Sequence, residues 1–171
     1  VADYLEAHPN IKLAFQPGKN EINLGKEKLA KLYARTEIFF CNVEEARTIL
    51  NLQGADILEL SQKMQALGPK IVCISDGPNG AYLYDKGELW QVPIYPDIAP
   101  PVDRTGAGDA FASTITSMLV LGKSPLEALV FGPINSMSVV QEVGAQKGLL
   151  PLEKLEYYLK NAPADYKPRK I

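Results

Sequence analysis

Residues 103–111 read Asp-Arg-Thr-Gly-Ala-Gly-Asp-Ala-Phe (DRTGAGDAF), immediately ahead of a run with helical periodicity. Gly106 and Gly108 let the backbone turn where a Cβ would clash. A helix opening here would leave the N–H groups of Ala107, Gly108 and Asp109 as unpaired donors at a positive helix end. Phosphate is the natural guest of such a place. Asp109 would repel it unless the carboxylate has another task, such as taking a proton. The plainer alternative is a turn followed by an acid that only complements the helix dipole.

Downstream of the loop the pattern is helical from Asp109 onward. Phe111, Ile115, Met118 and Leu119 share one face, and Gly122 marks the stop. Ser124-Pro125-Leu126-Glu127 reads as a capping box with proline at the first helical position. Pro133 should kink that second helix or divide it in two. Pro151 opens a last helix through Leu155 and Leu159, and the polar, proline-rich residues 163–171 are expected to fray.

Upstream, residues 93–101 carry four prolines and read as an extended linker. Before it, AYLYD and ELWQV are joined by Lys86-Gly87 and suit an antiparallel hairpin. A turn cluster, Asp76-Gly77-Pro78-Asn79-Gly80, follows KIVCIS at 70–75, which is apolar on both faces as a covered parallel strand must be. Strands are also expected at 11–15 and 37–41. Helices are expected where Asn23 caps a pattern with Leu29, Leu32 and Tyr33, where Asn42 opens a run through Ala46, Ile49 and Leu50, and at 56–67. The order β-α-β-α-α-β, then a hairpin, then three helices, fits a mainly parallel sheet covered on both faces. Ligands of such sheets bind beyond the carboxyl ends of the strands, here Gln16-Pro17-Gly18, Asn42 and Ser75-Asp76-Gly77.

Composition removes several classes of function. The net charge of −2 offers no basic excess for nucleic acid, and no apolar run approaches the roughly 20 residues of a membrane span. No signal peptide is visible, and the two cysteines suit a cytoplasmic protein. Cys41 and Cys73 lie in apolar runs and read as buried thiols rather than a disulfide. With the single His8 far from both, neither a zinc site nor a Ser-His-Asp hydrolase is expected. The start at Val1, inside a helical pattern (ADYLEAH), suggests a chain cut from something longer. DRTGAGDAF is not a dinucleotide-binding fingerprint, since the third glycine is missing and a proline linker precedes it. Gly122-Lys123-Ser124 resembles the end of a P-loop, but Ser117 stands where the first glycine is required.

Three stretches combine into something more specific. DRTGAGDAF resembles the C-terminal signature D-x-T-G-A-G-D-x-F of the ribokinase-like (PfkB-type) carbohydrate kinases. Asn42-Val43-Glu44-Glu45 looks like that family's N-x-x-E motif, and residues 75–80 look like its nucleotide-side turn. Gly144-Ala145 after the long helix agrees in order and spacing. The resemblance covers essentially the whole chain but only the C-terminal half or so of a typical member. It implies a three-layer α/β/α sandwich lacking the N-terminal part and lid, with residues 1–171 as the nucleotide-binding and catalytic portion.

The resemblance also implies roles. Asp109 would be the base for the substrate hydroxyl, and the amides of Gly106, Ala107 and Gly108 would form an anion hole for the transferred phosphoryl group. Asn42 and Glu45 would order Mg²⁺, although Asn with Glu three residues on is equally a capping arrangement. Ser75, Asp76, Gly77 and Gly80 would wall the ATP site, with Asn135 and Ala145 near the adenine. Asp103 and Thr105 would hold a monovalent cation such as K⁺, while Lys19 reads better as a solvated loop lysine. The expected reaction is γ-phosphoryl transfer from MgATP to a hydroxyl of a small-molecule sugar or nucleoside, by a full-length protein that could form a homodimer. This chain alone would be inactive. The rival readings are a non-catalytic nucleotide-binding module, which has no need of Asp109, and a dinucleotide-dependent oxidoreductase, disfavoured by the missing fingerprint.

Overall fold

The computed structural model describes residues 1–171. Its strands are β1 (Leu13–Phe15), β2 (Thr36–Asn42), β3 (Ile71–Ser75), β4 (Ala81–Asp85), β5 (Glu88–Val92) and β6 (Arg169–Lys170), hydrogen-bonded in that order into one sheet. Strands β1, β2 and β3 are parallel, whereas β5 and β6 are antiparallel, so the sheet is mixed. The α/β class expected from the sequence is the class observed. No helix is long and apolar enough to cross a membrane. The chain divides into two units, residues 1–76 with 82–89 and residues 77–81 with 90–171.

In the first unit, α1 (Ala2–Ala7) precedes β1. Helices α2 (Lys19–Leu24) and α3 (Ala30–Arg35) link β1 to β2, and α4 (Val43–Leu50) and α5 (Ile57–Gln65) link β2 to β3. Parallel neighbours require such crossovers. Phe39, Cys41, Val72 and Ile74 pack with Tyr33, Ala46, Ile49, Leu60 and Met64 in one core cluster. Their alternates Ile38, Phe40, Ile71 and Cys73 point the other way and are buried too. Burial on both faces explains why KIVCIS shows no polar alternation. In register Cys41 faces Ile74 and Phe40 faces Cys73, which puts the two thiols on opposite faces. Both are free and buried, as expected, and desolvation pushes both well above the ordinary thiol range. The connection from β4 to β5 is Lys86 and Gly87, both at positive φ (51° and 80°), the combination that tight hairpins favour.

The second unit holds α6 (Ala107–Val120), α7 (Pro125–Leu129), α8 (Phe131–Val139) and α9 (Leu152–Lys160). Phe111, Ile115 and Met118 of α6 are buried as their spacing predicts, and so are Ile134, Met137 and Val139 of α8. Gly132 lets these helices approach closely, since a Cβ there would lie 2.6 Å from the Phe111 ring. Ser124 caps α7 reciprocally with Glu127. Pro133 divides the helical stretch: it has no N–H to donate, its ring crowds the carbonyl of Leu129, and the break falls at Val130.

Three expectations need correction. Asn23 caps no helix; it lies inside α2, which ends at Gly25 (φ 86°), so the single expected helix is two short ones. Helix α6 starts at Ala107, not Asp109. Residues 163–171 do not fray: β6 pairs with β5, and buried Tyr166 donates from its hydroxyl to the Val130 carbonyl at 2.6 Å. Polar composition concealed a segment anchored by one aromatic residue.

Candidate active site

The start of α6 is shaped by Gly106, the residue before its first turn, at φ 83°. A Cβ at Gly106 would overlap the Ala145 side chain and lie 2.6 Å from its Cα. Glycine is therefore needed twice, for the left-handed backbone and for the approach of Ala145. No side chain caps this helix. Ala110 N–H closes the first turn onto the Gly106 carbonyl at 2.8 Å. The Ala107 amide is not unpaired, as the sequence had suggested, because it donates to the Arg104 carbonyl at 3.3 Å. Gly108 sits next on the first turn, where helix geometry provides no intrahelical acceptor for its amide. Asp109 follows on the same turn and is exposed.

Asp103 fixes the approach to this turn. Its Oδ1 accepts from the Thr105 amide at 2.9 Å and its Oδ2 from the Gly144 amide at 3.0 Å. The Thr105 amide foremost, then the Thr105 hydroxyl and the Gly144 amide, holds the Asp103 carboxyl below the usual carboxylate range. The amides of Val102 and Asp103 both donate to the Val140 carbonyl, at 2.8 and 3.2 Å. Asp103, Thr105, Gly106, Gly144 and Ala145 are thus brought together at the head of α6.

One stretch of α8 supports the arrangement from behind. The Ser136 hydroxyl donates to the Ala107 carbonyl at 2.9 Å, and that of Ser138 to the Gly148 carbonyl at 2.7 Å. Asn135 is 4% exposed. Its Nδ2 donates to the Thr114 hydroxyl at 2.7 Å and its Oδ1 accepts from the Leu150 amide at 2.9 Å. The structure thus places Asn135 as an internal tie between α6 and the 149–150 backbone. Ser136 and Ser138 were missed by the sequence reading; their only signal is polarity inside an otherwise apolar helix.

The turn after β3 contains a short 3-10 helix, Gly77–Asn79. Gly80 (φ 88°) donates to the Gly77 carbonyl at 3.1 Å, and a Cβ on it would overlap the Val92 carbonyl. Gly77 (φ 49°) has open space where its Cβ would be. In the first unit, Ser75 ends β3 in register with Asn42 at the end of β2, and Ser75 and Asp76 are half-buried. Asn42 and Glu45 form the capping box: Asn42 Oδ1 accepts from the Glu45 amide and Glu45 Oε2 from the Asn42 amide, each at 2.8 Å. No group of three or more His, Cys, Asp or Glu residues could cage a metal. A single carboxylate with one oxygen in a cap suits a magnesium ion that keeps its waters and phosphate ligands. Lys19 is exposed at the first position of α2.

Residues 7–152 match the pfkB family carbohydrate kinases, and the chain belongs to that family. It is 25% identical over 150 residues to a nucleoside kinase of Methanocaldococcus jannaschii, covering 88% of this chain and 48% of that protein. To a cytidine kinase of Thermococcus kodakarensis it is 34% identical over 137 residues, covering 78% of this chain and 48% of the relative. The structure of Arabidopsis thaliana ribokinase complexed with ribose and ATP is similar at TM-score 0.79 and 26% identity, over 94% of this chain and 51% of that one. Ribokinase from Thermotoga maritima gives TM-score 0.78 at 25% identity, over 92% and 52%. The expected ribokinase-like fold is the fold of these neighbours. The chain spans about half the length of the curated relatives it matches.

Proposed function

We propose that this chain carries the nucleotide-side and catalytic machinery of an ATP-dependent kinase that phosphorylates a hydroxyl of a sugar or nucleoside. The observation that carries the reading is the uncapped start of α6, with Gly106 at positive φ and Asp109 exposed on the first turn. When bound, MgATP supplies the γ-phosphoryl group with part of its charge neutralised by the metal. Asp109 takes the proton of the acceptor hydroxyl and so makes its oxygen the nucleophile. The first-turn amides, Gly108 foremost, meet the negative charge that builds on the transferred group. Gly106 sets the direction of that turn, and the Ser136 bond to the Ala107 carbonyl holds it. An acid beside a phosphate site is then no contradiction, because it faces the nucleophile.

The remaining roles rest on the family resemblance and on donor chemistry. Asn42 and Glu45 order magnesium through its waters, a task their capping bonds leave room for, since Glu45 Oε1 stands outside the box. Ser75, Asp76, Gly77 and Gly80 wall the nucleotide, and Ala145 sits on the adenine side with Asn135 holding the adjoining backbone. The Asp103 carboxylate accepts the Thr105 and Gly144 amides and lies against the Thr105 hydroxyl, a cluster of oxygens that suits a monovalent cation shared with Thr105.

The test is γ-phosphoryl transfer from ATP to a panel of sugars and nucleosides by the full-length gene product and its Asp109→Asn variant. The variant should lose about 10²–10⁴-fold in turnover on the accepted substrate while binding ATP as before. Unchanged turnover would remove the assigned base.

A further inference from the structure

The C-terminal strand reaches back to the turn at 77–80. Gln91 of β5 is buried, 9% exposed. Its Nε2 donates to the Asn79 carbonyl at 2.9 Å. Its Oε1 accepts from Arg169 Nε at 2.8 Å and also from Arg169 Nη2. A guanidinium can only donate, so the amide cannot be flipped: oxygen must face Arg169, and nitrogen must then face Asn79. The Asn79 carbonyl shares a rigid peptide plane with the Gly80 N–H, which closes the turn onto Gly77. Gly80 is confined on its other side by the Val92 carbonyl and Pro93.

Arg169 is delivered by a fixed tail. In register it lies opposite Gln91 across the β5–β6 pair. Three residues earlier Tyr166 is buried, bonded to the Val130 carbonyl and packed edge-on against Tyr95 at 4.9 Å between ring centroids. These tail residues lie outside the 7–152 match to the family.

We propose that Arg169 is a positioning residue for nucleotide binding, acting through Gln91 to preset the 77–80 turn. The proposal rests on the reading of that turn as a wall of the nucleotide site. A turn held in its bound geometry removes part of the ordering cost of binding.

The test uses the full chain and its Arg169→Ala, Arg169→Lys and Gln91→Glu variants. Hydrogen exchange at the Gly80 amide is followed without nucleotide, and MgATP affinity by calorimetry. Arg169→Ala should speed exchange at Gly80 while leaving the α6 amides unchanged, and weaken MgATP about three- to tenfold, the worth of one ordinary hydrogen bond, that of Gln91 to the Asn79 carbonyl. Arg169→Lys should recover part of both. Gln91→Glu keeps an acceptor for Arg169, and so keeps the tail docked, but cannot donate to Asn79; it should weaken MgATP as Arg169→Ala does. A merely stabilising tail would not respond this way. Wild-type Gly80 exchange and affinity in Arg169→Ala and Gln91→Glu, even with a lowered Tm, would overturn the proposal. Failure of the wild-type chain to bind MgATP would overturn the nucleotide role of the turn, and Gly80 exchange would show separately whether the tail still governs it.

Discussion

Helices α4 and α6 both begin at a carboxyl-bearing motif, yet they begin in opposite ways. At α4, Asn42 and Glu45 close the helix end on themselves with two 2.8 Å bonds three residues apart. At α6 no side chain caps the end; Gly106 turns the backbone, and the support comes from Gly144, Ala145 and Ser136, far away in sequence. The capping box satisfies the amides of Asn42 and Glu45 and leaves the second Glu45 oxygen for a ligand. An uncapped end held from behind keeps the Gly108 amide for a guest. The roles proposed above divide in the same way, hydrated metal at the first end and developing charge at the second.

Substitutions can break this contrast, and Gly106→Ala should do so most severely. It puts a Cβ on a residue at φ 83° and into Ala145, for a cost of about 2–4 kcal/mol in urea unfolding. A loss below 1 kcal/mol would mean that the open end of α6 does not depend on its glycine. Asn42→Ala should cost about 1 kcal/mol by the same measurement, as an ordinary lost cap does. Gly108→Ala sharpens the comparison. Position 108 lies within the helix, so alanine should change stability by only a few tenths of a kcal/mol, or raise it. A collapse like that of Gly106→Ala would show that both glycines are structural.

The smallest effect concerns pH, at a third helix start. Hydrogen bonds from the Ser124 hydroxyl and amide hold Glu127 below the ordinary glutamate range. The unfolded chain therefore takes up this proton at a higher pH than the folded one. The stabilisation is complete above the ordinary glutamate range and is lost as pH falls through it toward the lower folded value. Glu127→Gln should remove that slope, seen as a wild-type minus variant difference in stability that shrinks on acidification. A difference independent of pH would contradict the assigned bonds.

What could be read from sequence was what is local. The capping boxes at Asn42 and Ser124, the Lys86-Gly87 hairpin and the two-sided strand at 71–75 each declare themselves within a few residues. Which of Gly106 and Gly108 takes positive φ is not local, because it depends on Ala145 lying against one of them. Hence the start of α6 was placed two residues late. The ties from Asn135, Ser136 and Ser138 span 10 to 29 residues and leave no periodic trace. Strand β6 was hidden for the same reason: its partner lies 78 residues earlier, across Arg169 and Gln91. The motif at 103–111 pointed to the family, and long-range contacts hold it in position.

The most direct test of the central claim is a titration of MgATP into the isotopically labelled chain, with backbone amide shifts followed by NMR. The account predicts that the amides of the first turn of α6, Gly108 foremost, move with the nucleotide. Saturable binding that leaves those amides unmoved would contradict it.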